Sequence, residues 1–135
     1  MRFQKCATLL LGTLSAWSFL TTAQASGLKP VKALPGYQCM AIDAPDEVMM
    51  DDKHPIMMHQ QPNDKSPEIS GVPTVFAVTA PAEVKNGYIK TINFGLQPGW
   101  VSTKWVKPYE TVHPGVKCIP SIMTDGKLGF DFPRN

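Results

Sequence analysis

The chain has 135 residues, 43% of them apolar, and a formal net charge of +2, a composition typical of one small globular domain. The excess positive charge comes from Arg2 and Lys5 at the N-terminus. Without them, 11 of the 13 basic residues remain against 11 acidic residues. A neutral domain has no electrostatic footprint for a nucleic acid or an anionic surface, so nucleic-acid binding is excluded.

Residues 1–25 have the features of a secretory signal peptide. A short basic start precedes an apolar run over residues 7–20, and the small residues Ala23 and Ala25 stand where a signal peptidase cuts. The run is shorter than the roughly 20 apolar residues that a membrane span needs. We therefore predict cleavage before Ser26 and a periplasmic or secreted mature chain without a membrane span.

Two cysteines, Cys39 and Cys118, remain once Cys6 leaves with the signal peptide. Disulfides persist in exported proteins, and two thiols allow only one pairing. The alternative is a nucleophilic cysteine with His59 or His113 as its base. It would leave an unpaired thiol in an oxidising compartment, so we predict a disulfide.

The mature chain reads as a series of short strands separated by turn residues. Thirteen prolines exclude long helices. From the N-terminus we predict an extended entry segment at 26–36, a strand at 37–42, an extended piece at 48–50 and a polar turn at 51–53. A strand at 54–60 and a polar loop at 61–71 follow. Strands at 74–80 and 87–94 are joined by an Asn86-Gly87 turn, and a strand-rich stretch at 98–109 precedes a Pro/Gly-rich tail at 110–135. This pattern predicts an all-β domain.

The stretch "PGWVSTKWVKPY", from Pro98 to Tyr109, resembles the C-terminal part of a bacterial SH3 domain. Members of that family typically end in a Gly-Trp-Val step, a short turn and an aromatic-plus-aliphatic pair. Gly99–Val101 match the first of these, and Trp105 and Val106 match the last.

Two upstream segments extend the resemblance to roughly residues 47–109. In "NGYIKTI", Tyr88 and Lys90 take the aromatic and lysine positions of a family strand. In "IMMHQQPNDKSPEISG", Ile56 and Met58 take its buried strand positions, and His59 stands where arginine is common. The strand at 37–42, the tail and both cysteines lie outside the family pattern.

The resemblance implies a small five-stranded SH3-like barrel, which we place with an extra N-terminal strand over residues 37–109. A C-terminal extension over 110–135 would be tied back by the disulfide. It also implies a non-catalytic module that binds a cell-wall peptide or an envelope protein. The sequence itself has no Gly-x-Ser-x-Gly, His-Glu-x-x-His or Cys-x-x-Cys motif and no phosphate-binding glycine loop. We predict no enzyme activity and no cofactor.

Exposed aromatic residues are the candidate ligand contacts, because large rigid side chains give contact area at low entropic cost. The candidates are Tyr88, Trp105 and Tyr109, together with His59. Trp100 is expected mainly in the core, since its place in the family pattern is structural.

The stretch "VMMDDKHPIMMHQQP" contains four methionines and two histidines, which are ligands that suit copper. Alternation along a strand divides this set, because Ile56 and Met58 would face the core and leave Met57 and His59 on the exposed face. Such a pair would need a ligand from another strand. Copper binding by Met57 and His59 is therefore an alternative to a structural role.

A third hypothesis is an exported protein–protein partner, such as an inhibitor, an immunity protein or a subunit of an envelope complex. The tail could then be a binding arm or a docked strand. Apolar residues at Leu128, Phe130 and Phe132 follow the period of a strand, which favours docking on the chain's own domain.

Overall fold

The computed structural model describes residue 12 and residues 27–134, so the predicted signal peptide lies outside the described residues apart from residue 12. The strands are β1 (Pro30–Ala33), β2 (Tyr37–Ile42), β3 (Met57–His59), β4 (Glu68–Gly71), β5 (Val75–Thr79), β6 (Val84–Lys85), β7 (Tyr88–Ile92), β8 (Pro98–Ser102), β9 (Val106–Pro108), β10 (Ile119–Met123) and β11 (Leu128–Asp131). Two single-turn helices, α1 (Asp46–Met49) and α2 (Tyr109–Val112), and a 3-10 turn at Thr103–Trp105 complete the described elements.

The larger sheet has the strand order β4-β3-β8-β7-β5-β2-β9, and β6 pairs with β7 beside it. All of its pairings are antiparallel. The prediction of an all-β domain is confirmed. The larger sheet has eight strands, more than the five that the resemblance implies.

The main core lies against one face of this sheet. It contains Met58, Val78 and Val101, which are at most 2% exposed, and draws on residues from β2, β3, β5, β7 and β8. Ile56 is partly buried and packs against it, so the predicted inward positions of Ile56 and Met58 are confirmed. Because strands from both halves of the sheet share this cluster, the sheet curls around its own core.

A second sheet has the order β1-β10-β11 and lies on the other face of the larger sheet. Leu128 of β11 packs with Ala77 of β5 and Ile92 of β7, and Phe130 packs beside them. The entry segment and the tail are therefore paired strands docked on the domain. Phe132 follows the end of β11 and remains 44% exposed.

The predicted Cys39–Cys118 disulfide is confirmed. It joins β2 to the segment just before β10 and lies in an apolar cluster with Ala41 and Tyr109. The bridge therefore connects the two sheets.

The extended conformation expected at 48–50 was wrong, because residues 46–49 form α1. Pro45 stands at the start of this turn with a φ of −59°, and Asp46 and Glu47 lie in its first turn. An acidic first turn favours a helix N-terminus. This local signal prevails over the strand composition of Val-Met-Met.

The strand expected at 54–60 is shorter, covering Met57–His59. A register shift against β4 falls between Met58 and His59, where a β-bulge interrupts the ladder. The Asn86-Gly87 turn is as expected, with φ values of 51° and 74°. None of the helices in residues 27–134 is long and apolar enough to cross a membrane.

Candidate functional site

Three polar or aromatic side chains stand in one row across β3, β8 and β7. His59 is directly opposite Trp100, and Trp100 is directly opposite Lys90. The next pair along β7 and β8, Ile89 and Val101, belongs to the core. Since neighbouring residues of a strand point to opposite faces, the row of His59, Trp100 and Lys90 faces outward.

We call this surface the outer-face cluster. It consists of His59, Glu83, Lys85, Tyr88, Lys90 and Trp100.

Gly99 allows β3 and β8 to approach each other closely next to the row. A Cβ atom at Gly99 would lie 2.7 Å from the Met58 side chain and 2.9 Å from the carbonyl oxygen of His59. A residue with a side chain would push the strands apart. Glycine at this position therefore permits the close contact of β3 and β8 beside His59 and Trp100.

His59 is held in one orientation by the loop that follows its strand. Its Nδ1 lies 3.0 Å from the carbonyl oxygen of Ser66. Because a carbonyl oxygen only accepts hydrogen bonds, Nδ1 must carry the proton of this bond. In the neutral ring Nε2 is then the unprotonated nitrogen and can accept a hydrogen bond from a ligand.

Tyr88 packs against His59 edge to face, with 5.8 Å between the ring centroids and an angle of 85° between the planes. Burial raises the pKa of the Tyr88 hydroxyl above its ordinary value, and the charge of Asp64 raises it further. Tyr88 is therefore a neutral phenol at physiological pH and can both donate and accept a hydrogen bond.

Two lysines provide the positive charge of the cluster. One oxygen of the Glu83 carboxylate lies 3.5 Å from Lys85 Nζ, and the other lies 3.5 Å from Lys90 Nζ. Lys85 Nζ is also 5.8 Å from the centroid of the Trp100 ring. One carboxylate is thus shared by two ammonium groups, so the lysines retain donors for a ligand.

This arrangement is suited to binding. It offers an imidazole acceptor, a neutral phenol and two ammonium groups, all carried by neighbouring strands. The His59 ring donates a hydrogen bond to the backbone carbonyl of Ser66 and packs edge to face with the Tyr88 ring.

Trp100 is only 9% exposed, as expected for a structural tryptophan. Its register, however, places it on the outer side of the sheet and not in the main core cluster. The Trp100 side chain is therefore largely buried beneath the cluster. His59 and Lys90 lie beside it on the adjacent strands.

The other predicted ligand contacts do not join His59 and Tyr88. Trp105 packs partly against the main core, and Lys104 Nζ lies 5.0 Å from the centroid of its ring. Tyr109 is 8% exposed and packs with His113 at a ring distance of 4.6 Å. Only His59 and Tyr88 of the four predicted contacts come together in the cluster.

Met57 and His59, the alternative metal pair, flank the buried Met58 and are both half-buried. Among the described residues, no group of three or more His, Cys, Asp or Glu side chains is placed to hold a metal ion. Copper binding by this pair stays a prediction.

The sequence reasoning missed Glu83, Lys85, Lys90 and the outward position of Trp100 as parts of one surface. The alternation of side chains along a strand provided a signal for Lys90 and Trp100. Inward positions of Ile89 and Val101 imply that the next residue on each strand points outward. The role of Glu83 had no such signal, since it depends on how β6 folds back onto β7.

Comparisons with protein-family models, with curated proteins and with solved structures found no match to this chain.

Proposed function

We propose that this chain is an exported, non-catalytic binding module of the bacterial cell envelope, which recognises a cell-wall peptide or an envelope protein through the outer-face cluster. The observation that carries the proposal is the outward row of His59, Trp100 and Lys90 on three adjacent strands. A site built on paired strands is held more precisely than one built on loops, so its groups are preorganised for a ligand.

The chemistry of the cluster supports a peptide ligand. Peptides carry carboxylates and amides, and the cluster offers ammonium donors at Lys85 and Lys90 for the former. The His59 Nε2 acceptor and the Tyr88 hydroxyl can hydrogen-bond with the amides. The aromatic rings add contact area for side chains.

The disulfide supports export, because such bonds persist outside the reducing cytosol. The SH3-like part of the proposal depends on the resemblance of residues 47–109, and the curled antiparallel sheet is compatible with it.

A pull-down tests the proposal. Purified sacculi and detergent-extracted envelope proteins are incubated with the disulfide-bonded mature chain at physiological salt. We expect retention of the wild type on one of the two materials. The double variant K85A/K90A should lose it, because two of the ligand's ionic contacts are removed.

The matched control is K29A/K127A, which removes two exposed lysines outside the cluster and the same charge. It should be retained like the wild type. Failure of the wild type to bind either material, or equal loss in both double variants, would contradict the proposed site.

A further inference from the structure

A second candidate surface lies away from the outer-face cluster and shares no residue with it. It is an apolar cavity of about 170 Å³ between the end of β4, the β7–β8 turn and β11. The apolar residues Phe76, Ile92, Phe94, Leu128 and Phe130 line it. An apolar cavity of about 150 Å³ holds a benzene ring, so this one has room for a single aromatic side chain.

The rim of the cavity is held rigidly while exposing apolar surface. Phe94 and Leu96 are 47% and 40% exposed at the tip of the β7–β8 turn. Asn93 fixes this turn, because its Oδ1 accepts a hydrogen bond from the Gln97 amide at 2.9 Å. The carbonyl oxygen of Phe94 accepts another from the Leu128 amide at 2.9 Å. These hydrogen bonds hold the turn that carries Phe94 beside the cavity.

A free strand edge borders the same cavity. Ser70 and Gly71 of β4 line it, and β4 is the end strand of the larger sheet. Within the described part of the chain, β4 has a strand partner only on the side of β3. An extended peptide can therefore pair with this edge, as in recognition by strand addition.

A second cavity, of about 300 Å³, shares Pro73 with the apolar one and carries two carboxylates, Asp51 and Asp52. Asp51 faces the ring of His54 at 3.1 Å, while Asp52 is in no ion pair among residues 27–134. This neighbouring cavity is thus complementary to a cation.

We infer that the two cavities together bind an extended segment of a protein partner, with an aromatic side chain in the apolar cavity and a basic side chain two residues away at Asp51 and Asp52. The spacing follows from strand geometry, since residues i and i+2 point to the same side and lie about 7 Å apart. The two cavities share Pro73 as a lining residue, so they are neighbours along the path of such a segment. The inference goes beyond the proposed function and does not depend on it.

The probes are three capped tripeptides: acetyl-Phe-Ala-Arg-amide, acetyl-Ala-Ala-Arg-amide and acetyl-Phe-Ala-Glu-amide. Each is titrated into the isotope-labelled, disulfide-bonded mature chain, and amide NMR shifts are followed. We expect the Phe-Ala-Arg peptide to shift Gly71, Asn93 and Gly95. Loss of the phenyl ring should weaken binding about tenfold or more, because the burial of an apolar ring is lost.

Replacing Arg by Glu should weaken binding about two- to fivefold, as for an exposed ion pair. The variant D51N/D52N should bring the Arg and Glu peptides to equal affinity while keeping the preference for Phe. Gly71→Leu should block the apolar cavity. Nothing lies within 4 Å of a Cβ atom at that position, so the strand can accept the side chain.

A second blocking test uses Phe94→Ala, which removes an exposed wall ring and should weaken binding of both Phe-containing peptides. Equal affinity of the three peptides for the wild type, no binding, or shifts confined to the outer-face cluster would each overturn the inference. Unchanged binding by both Gly71→Leu and Phe94→Ala would do the same.

Discussion

At the scale of single residues, burial separates methionines that look alike in the sequence. Met58 is 2% exposed inside the curled sheet, whereas Met50 is 79% exposed at the end of α1. Flexible, unbranched methionine side chains fill irregular cores well, which explains Met58. The Met/His-rich stretch is therefore partly structural, and only its exposed members are accessible to other molecules.

Met58→Ala should lower the free energy of unfolding by about 2–5 kcal/mol, because it removes a buried side chain and leaves a cavity. Met50→Ala should change it by no more than about 0.5 kcal/mol, as for an exposed site. Urea denaturation of the two variants measures the difference. Similar losses in both would contradict the assignment of Met58 to the core.

The ionisation of Tyr88 is a second prediction at this scale. Its raised pKa means that the folded state holds the phenolic proton more tightly than the unfolded chain. This contribution to stability is complete below the ordinary value of 10.0 and is lost as the pH rises through the higher folded pKa.

Asp64→Asn should lower the Tyr88 pKa, but not to its ordinary value, because burial is the larger cause. NMR titration of the tyrosine ring carbons measures both proteins, and Tyr88→Phe identifies the resonance. A Tyr88 pKa in Asp64→Asn equal to that of the wild type would contradict the role of the Asp64 charge.

At the scale of elements, the contact between β3 and β8 positions the outer-face cluster. Gly99→Ala should destabilise the fold by about 1–3 kcal/mol, because the new methyl group meets Met58 and the backbone of His59. Gly71→Ala is the matched control, since no atom lies within 4 Å of its Cβ position and its φ is not positive. It should be neutral or stabilise by up to about 1 kcal/mol.

Thermal and urea denaturation compare the two glycine variants, and NMR shifts of His59 report the local geometry. Equal stability of the two variants would show that β3 and β8 are not in such close contact. If the NMR shifts of His59 are the same in Gly99→Ala and the wild type, the contact between β3 and β8 does not position the cluster.

At the scale of the whole molecule, the disulfide joins two sheets that belong to distant parts of the chain. The bridged cysteines are 79 residues apart, and the loop-entropy model gives about 4–5 kcal/mol for such a loop as an upper estimate. The double variant C39A/C118A should unfold at a lower urea concentration, with hydrogen exchange increased most in β10 and β11.

The reduced wild type is the control, because it lacks the bond and keeps the cysteine side chains. It should match C39A/C118A in stability. Equal stability of the oxidised wild type and the double variant would mean that the docking of the second sheet is independent of the bridge.

The all-β class, the disulfide and the inward positions of Ile56 and Met58 were predictable from the sequence. Each follows from local alternation, turn residues or the arithmetic of two cysteines. Alternation and turn preferences act between residues close in the chain, and two cysteines allow only one pairing. The local signals were weakest where local preferences compete, as in residues 46–49, where the acidic first turn favours a helix.

Which side chains share a surface could not be predicted from the sequence, because it depends on the folded arrangement of the strands. The contact of His59 with Tyr88 and its row with Lys90 depend on pairing between β3, β8 and β7. The separation of Tyr109 from them depends on the pairing of β9 with β2 at the other end of the sheet. Such pairings join residues far apart in the chain, and many registers satisfy the same local pattern. Packing of the whole chain selects one of them because it buries the apolar faces of both sheets together.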